Sequence, residues 1–181
     1  MKTGQQIAKY VNQGNVSERW FLELLGASGH NLKVIGGFIE DLPSNPEWEL
    51  YMHNSEREQQ LESGDLFCTK CGRIFEIKSK SKDKISMTAK DVERDPDEKG
   101  ITVLFPIWTK GFGKIYKVYA VSLNELIRKR YKAEKETNHF GENYYIYSHQ
   151  ILSYTKIAIN SNTKKNDILT TINEIGLGCK A

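Results

Sequence analysis

The chain has 181 residues, 39% hydrophobic and 27% charged, with a net charge of +3. That balance excludes a disordered chain and suits one domain with a sizeable core. No apolar run is long enough to cross a bilayer, and the start MKTGQQIAKYVNQGN lacks the apolar middle of a secretion signal, so a cytoplasmic setting with no membrane partner is expected. Three cysteines, Cys68, Cys71 and Cys179, are an odd count that argues against a disulfide scaffold and fits a reducing compartment. Residues 1–100 hold 14 Lys and Arg against 17 Asp and Glu, whereas residues 101–181 hold 12 against 6. The second part is therefore +6 by itself, compatible with a polyanionic partner or simply with solubility.

In chain order, Gln5 to Asn12 and Ser17 to Leu25 read as two helices, the second capped by Ser17 and closed near Gly26 or Gly29. NLKVIGGFIEDL reads as a first strand bent by its paired glycines. The polar, Pro-punctuated segment PSNPEWELYMHNSEREQQLES reads as a loop with a short helix around Ser55 to Leu61. Leu66 to Cys68 and Arg73 to Lys78 flank a Gly-containing turn, the pattern of a β-hairpin. MTAKDVERDPDEKG suits a short helix starting after Thr88 and broken by proline. ITVLFPIW and KIYKVYAVS are strands by their β-branched and aromatic content, joined through KGFGK as a hairpin turn. LNELIRKRYKAEKE reads as an amphipathic helix behind its cap Ser122. ENYYIYSHQILSYTKIAIN adds a strand or two, and NDILTTINEIGL a last helix. The order points to a mixed sheet flanked by helices in a single domain, 1–181.

The hairpin GDLFCTKCGRIFEIKSKSK supports two readings. Cys68 and Cys71, three positions apart around a tight turn, have the spacing of half a zinc knuckle. Four ligands are needed to close such a site, and His30, His53 and Cys179 are scattered singles. The alternative is a plain turn carrying two small half-buried residues. The charged residues support a second chemistry. Alternation along the strand turns Glu76 and Lys78 to one face and Phe75 and Ile77 to the other. The turn at 71 to 72 brings Asp65 back beside Glu76, and two close carboxylates need a cation or a proton between them. Such a trio suits divalent-metal phosphodiester chemistry, with hard oxygen ligands for Mg²⁺ and an ammonium beside them. A surface salt bridge on an edge hairpin is the plainer reading.

GD, ten residues, then EIK within RIFEIKSK resembles the PD-(D/E)XK nuclease superfamily, which includes type II restriction endonucleases, Holliday-junction resolvases and repair nucleases. Gly64 stands where the motif name has proline. The resemblance spans about residues 15 to 125 and implies an α/β, restriction endonuclease-like fold: a mixed central sheet flanked by helices, followed by a basic C-terminal extension of about 126–181. By the resemblance, Asp65, Glu76 and the main-chain carbonyl of Ile77 ligate Mg²⁺, and Lys78 positions the attacking water. An early helix should carry a further glutamate. On a helical wheel Phe21, Leu24 and Leu25 define the apolar side of SERWFLELLG; Glu18 borders it, whereas Glu23 faces solvent. Glu18 is thus the fourth catalytic candidate, holding a second ion or its waters. As a plain residue it is a first-turn acid complementing the helix dipole.

Lys80, Lys82 and Lys84, with Arg128 and Arg130 in IRKRYKAEK, are candidate phosphate contacts or merely solvated faces. Tyr144, Tyr145, Tyr147 and Tyr154, near His149 and Lys156, read as sheet packing sooner than as a base-stacking platform. The expected function is an Mg²⁺-dependent DNA endonuclease, a restriction-type enzyme or its cleavage subunit, working on DNA as a homodimer or with a separate recognition subunit. A junction resolvase or repair nuclease is the alternative within that fold. A non-catalytic nucleic-acid-binding module built on a Cys68/Cys71 zinc knuckle is the alternative outside it.

Overall fold

The structure is a computed structural model that describes residues 4–35, 65–96, 100–109, 114–138, 141–159 and 163–179, with side chains of the first helix from residue 14. Most of the predicted strand NLKVIGGFIEDL, the Ser55 to Leu61 helix, most of the KGFGK turn and His53 lie outside the described residues. Packing divides the chain into two units, Met1–Ile77 with Leu169–Ala181, and Lys78–Ile168.

The first unit opens with one helix, α1, Gly4–Ala27, in place of the two predicted. Ser17 is not an N-cap; it is fully buried inside the helix. Nucleating a helix costs more than extending one, so crossing Gly14 and Asn15 is cheaper than stopping and restarting. The predicted face is the one that packs: Phe21, Leu24 and Leu25 are buried, Glu18 is half-buried and Glu23 exposed. The helix closes where the Ser28 and His30 amides bond back to the carbonyls of Leu24 and Leu25. This reversal carries Gly29 through φ +94°, a conformation that side-chain-bearing residues resist.

Among the described residues three strands follow, each paired antiparallel with the next: β1 (Leu32–Val34), β2 (Leu66–Cys68) and β3 (Ile74–Ile77). Leu32 pairs with Cys68 and Val34 with Leu66; Leu66 in turn pairs with Phe75, and Phe67 with Ile74. The β2–β3 hairpin appears where LFC and RIFEIK predicted it.

In the second unit the chain from Lys78 to Lys80 runs parallel to β5 (Thr102–Trp108), through Lys78 N–H to Leu104 O, Lys80 N–H to Pro106 O and Trp108 N–H to Lys80 O. β5 pairs antiparallel with β6 (Ile115–Ser122), and β6 with β9 (Thr155–Ala158). Both faces of β5 are covered, since Val103, Leu104, Phe105 and Ile107 are all fully buried, which explains the unbroken apolar run VLFPI. Parallel and antiparallel pairing with helices alongside make this a mixed α/β structure.

A second, three-stranded sheet orders β4 (Ile85–Thr88), β8 (Asn143–Tyr147) and β7 (Glu134–Thr137). Neither β4 nor β7 was expected. β7 corrects the reading of LNELIRKRYKAEKE as helix throughout: the helix, α3, spans Leu123–Lys129, passes through a 3₁₀ turn at Arg130–Lys132, and gives way to the exposed strand EKET. Its charges read as helical, but pairing with β8 at the sheet edge overrides that propensity. α2 (Ala89–Val92) starts behind Thr88 as expected, and the Thr88 hydroxyl accepts from the Asp91 amide. α4 spans Lys165–Glu174.

The Tyr147 hydroxyl donates to the Leu126 carbonyl at 2.9 Å in the interior. The Arg130 amide, which would reach Leu126 in an undistorted helix, bonds to Ile127 instead, so the tyrosine satisfies a carbonyl otherwise orphaned at the end of α3. Tyr147→Phe should lower unfolding stability by about 1–2 kcal/mol, with little change in the slope of ΔG against urea.

Candidate functional site

Two constellations lie at opposite ends of the β2–β3 hairpin. At its open end Asp65 is buried. Its amide donates to the Phe75 carbonyl at 2.9 Å, and its Oδ2 accepts from the Ile77 amide. The aspartate carboxylate is thereby held on the main chain between Glu76 and Lys78. Phe75 and Ile77 point into the core, as alternation predicts, and Glu76 and Lys78 remain half-exposed. Lys78 forms an ion pair with Asp91 of α2 at 3.7 Å, a partner the sequence reading did not single out. Thr88 holds that aspartate through a 2.7 Å bond to Oδ2.

Lys80 is half-buried, with its ammonium 5.7 Å above the centre of the Phe105 ring. Burial, reinforced by the charge of Lys78 and opposed by that of Asp91, brings its pKa down to about 7. Lys82 is exposed, and Lys84 pairs with Glu136 at 3.8 Å. Arg128 is exposed, but Arg130 turns Nη1 back onto the Ile127 carbonyl at 2.7 Å. The tyrosines are engaged within the protein: Tyr145 with Glu93, Tyr144 with Glu142, and Tyr154 edge-on to Tyr119. The Tyr119 hydroxyl donates to Asp83, which also binds Lys117; burial and that bond raise the Tyr119 pKa to about 12.

At the closed end, Cys68-Thr69-Lys70-Cys71-Gly72 makes a tight turn. The Gly72 amide donates to the Cys68 carbonyl at 2.9 Å and the Cys68 amide to the Arg73 carbonyl at 2.8 Å. Gly72 takes φ +73°, a left-handed conformation that side-chain-bearing residues resist. The reversal after α1 delivers His30 to this turn, and Asn31 staples it there by accepting from both the amide and the hydroxyl of Thr69. The segment after α4 arrives from the far end of the sequence: Arg73 donates to the Gly176 carbonyl at 2.9 Å, and the Cys179 amide to the Ser28 carbonyl at 3.3 Å.

As a result His30, Cys68, Cys71 and Cys179 place their ligand atoms within 4.8 Å of one another, a set that could hold a metal ion. Cys68 Sγ lies 3.9 Å from Cys179 Sγ, and Cys71 Sγ lies 3.6 Å from His30 Nδ1. All three thiols are free. Burial works against a thiolate at Cys68, but the Cys71 amide, His30, the Lys70 amide and the Cys71 thiol outweigh it, and its pKa falls to about 6. Burial, then bonds to Cys71 and Cys68 and their charges, pushes Cys179 up to about 11.

Among the described residues this is the only such convergence of three or more histidine, cysteine or acidic side chains; Glu18, Asp65 and Glu76 do not form a second one. The Cys68/Cys71 pair was legible, but His30 and Cys179 were not. The signal available was slight: each of them directly follows a glycine. No protein-family model, curated protein or solved structure matches the chain. Among the described residues no helix is long and apolar enough to cross a membrane.

The lowered pKa of Lys80 has a defined consequence for stability. Its folded pKa lies below the ordinary lysine value of 10.5, so the cost of burying the ammonium is fully present below pH 7 and is relieved as pH rises towards 10.5. Lys80→Met should therefore exceed the wild-type chain in stability at pH 7 by on the order of 1–3 kcal/mol. Denaturation at a series of pH values should show that advantage shrinking between pH 7 and 10.

Proposed function

We propose that the protein is a divalent-metal-dependent endonuclease hydrolysing DNA phosphodiester bonds. The observation carrying this reading is the buried carboxylate of Asp65 bonded to the Ile77 amide within Glu76-Ile77-Lys78. It is in keeping with the resemblance of GD…EIK to PD-(D/E)XK nucleases, and the restriction endonuclease-like fold and restriction-type activity in this reading come from that resemblance.

The residues present suit Mg²⁺ in ligand type. Asp65, Glu76 and the Ile77 carbonyl supply hard oxygens; Glu18 does not converge with Asp65 and Glu76, and a role for it with a second ion rests on the resemblance alone. When bound, Mg²⁺ activates water and offsets charge on the leaving oxygen. The chain's own groups do the rest. The Ile77 amide fixes Asp65 in one orientation, so that little reorganisation accompanies catalysis. Lys78 orients the attacking water and stabilises charge on the phosphoryl oxygens. Asp91 and Thr88 hold Lys78 in place by the ion pair and bond described above. Lys82 and Arg128, both exposed, are available for phosphate contacts with DNA. Recognition by a homodimer or by a separate subunit belongs to the same reading.

A nucleic-acid-binding module without catalysis is the second reading, favoured by the metal-competent cluster of His30, Cys68, Cys71 and Cys179. Purified protein incubated with supercoiled and branched DNA, with Mg²⁺ or with EDTA, separates the two. The endonuclease should nick or linearise DNA only with Mg²⁺, and Lys78→Ala should slow cutting by at least about 100-fold while retaining the wild-type melting temperature. Preference for the branched substrate would favour a junction resolvase. Cutting that survives both Lys78→Ala and Asp65→Asn, or no cutting of any DNA form, would overturn the assignment.

A further inference from the structure

We propose that His30, Cys68, Cys71 and Cys179 form a closed, structural Zn²⁺ site that clasps the end of α1, the β2–β3 turn and the segment following α4. The inference is independent of nuclease activity.

Two separations match the ion, and all four ligand atoms lie within 4.8 Å of one another. Tetrahedral zinc, with bonds of about 2.3 Å to sulfur and 2.0–2.1 Å to nitrogen, sets two sulfurs about 3.8 Å apart and a sulfur and a nitrogen about 3.6 Å apart. The Cys68–Cys179 separation is 3.9 Å and the Cys71–His30 separation 3.6 Å. A disulfide would need its sulfurs about 2.05 Å apart, so the spacing suits a shared ion instead.

The histidine is prepared for ligation. Its Nε2 lies 2.7 Å from the Leu177 carbonyl, which can only accept, so Nε2 carries the proton and the Nδ1 lone pair faces Cys71. An edge-on contact with the Phe75 ring, centroids 5.3 Å apart, fixes the imidazole plane.

The ligand set is complete and soft. Three thiols and one imidazole make a Cys₃His set, which selects zinc over magnesium or calcium and leaves no open position for substrate. All three cysteines of the chain are gathered here, Cys68 and Cys179 being 111 residues apart in sequence. The ion's role would be to hold three distant segments together, not to take part in a reaction.

The test uses the full chain. Protein made in zinc-supplemented medium and passed through EDTA should retain about one zinc per chain by atomic emission. Cys179→Ser and His30→Ala should fall well below half an equivalent and melt at lower temperature, while Lys33→Ala, on the same stretch of chain, should keep its metal. Should a variant fail to fold, Co²⁺ added to zinc-stripped wild-type chain gives the second readout. A Cys₃His site should show the intense ligand-field absorption of tetrahedral cobalt together with thiolate-to-metal charge transfer. A weak octahedral spectrum, iron in place of zinc in the isolated protein, metal-free wild-type chain with unchanged melting, or Cys179→Ser holding a full equivalent would each overturn the proposal. Mg²⁺-dependent DNA cutting and its loss in Lys78→Ala are read separately, so either proposal can fail alone.

Discussion

The pairing register of β2 with β3 is the constraint on which both constellations depend. Leu66 faces Phe75 and Phe67 faces Ile74. A slip of one residue would turn Phe75 and Ile77 out of the core and carry Glu76 into it, at the cost of burying a carboxylate and exposing two apolar side chains. The turn closed by the Gly72 amide on the Cys68 carbonyl holds that register. It therefore sets Cys68 and Cys71 at one end of the hairpin and Asp65, Glu76 and Lys78 at the other.

The two ends carry ligands of opposite character. Sulfur and imidazole meet at the closed end, and carboxylates with a peptide carbonyl flank the open end. Soft donors favour zinc and hard oxygens favour magnesium, so a protein holding both ions could sort them by the ligand chemistry of each end. A metal at the closed end would stiffen the turn that keeps the acids in register. The residues of the proposed clasp and the acids of the proposed active site thus lie at the two ends of one four-residue strand, β3.

The legible features were those set by residues near one another in sequence. Alternation in RIFEIK placed Phe75 and Ile77 inside, and the β-branched and aromatic content of ITVLFPIW announced a strand. The helical wheel separated half-buried Glu18 from exposed Glu23. Errors arose where a distant partner decided the outcome. EKET has helical composition but becomes a strand because β8 offers it a ladder. Ser17 has the chemistry of a cap, yet packing and the continuous hydrogen-bond ladder keep it inside α1. Asp91 sits in a helix correctly anticipated, but its pairing with Lys78 depends on where the chain after β4 places that helix.

By itself the sequence determined the hairpin, the faces of its strands and the donor types at each end, because side-chain alternation and turn preference are properties of a few consecutive residues. Only the tertiary structure decided that His30 and Cys179 join Cys68 and Cys71. That meeting depends on two helix ends reversing direction, one after Ala27 and one after Glu174, so that segments more than a hundred residues apart reach the same turn. Sequence spacing records neither the angle of such a reversal nor where the chain goes next.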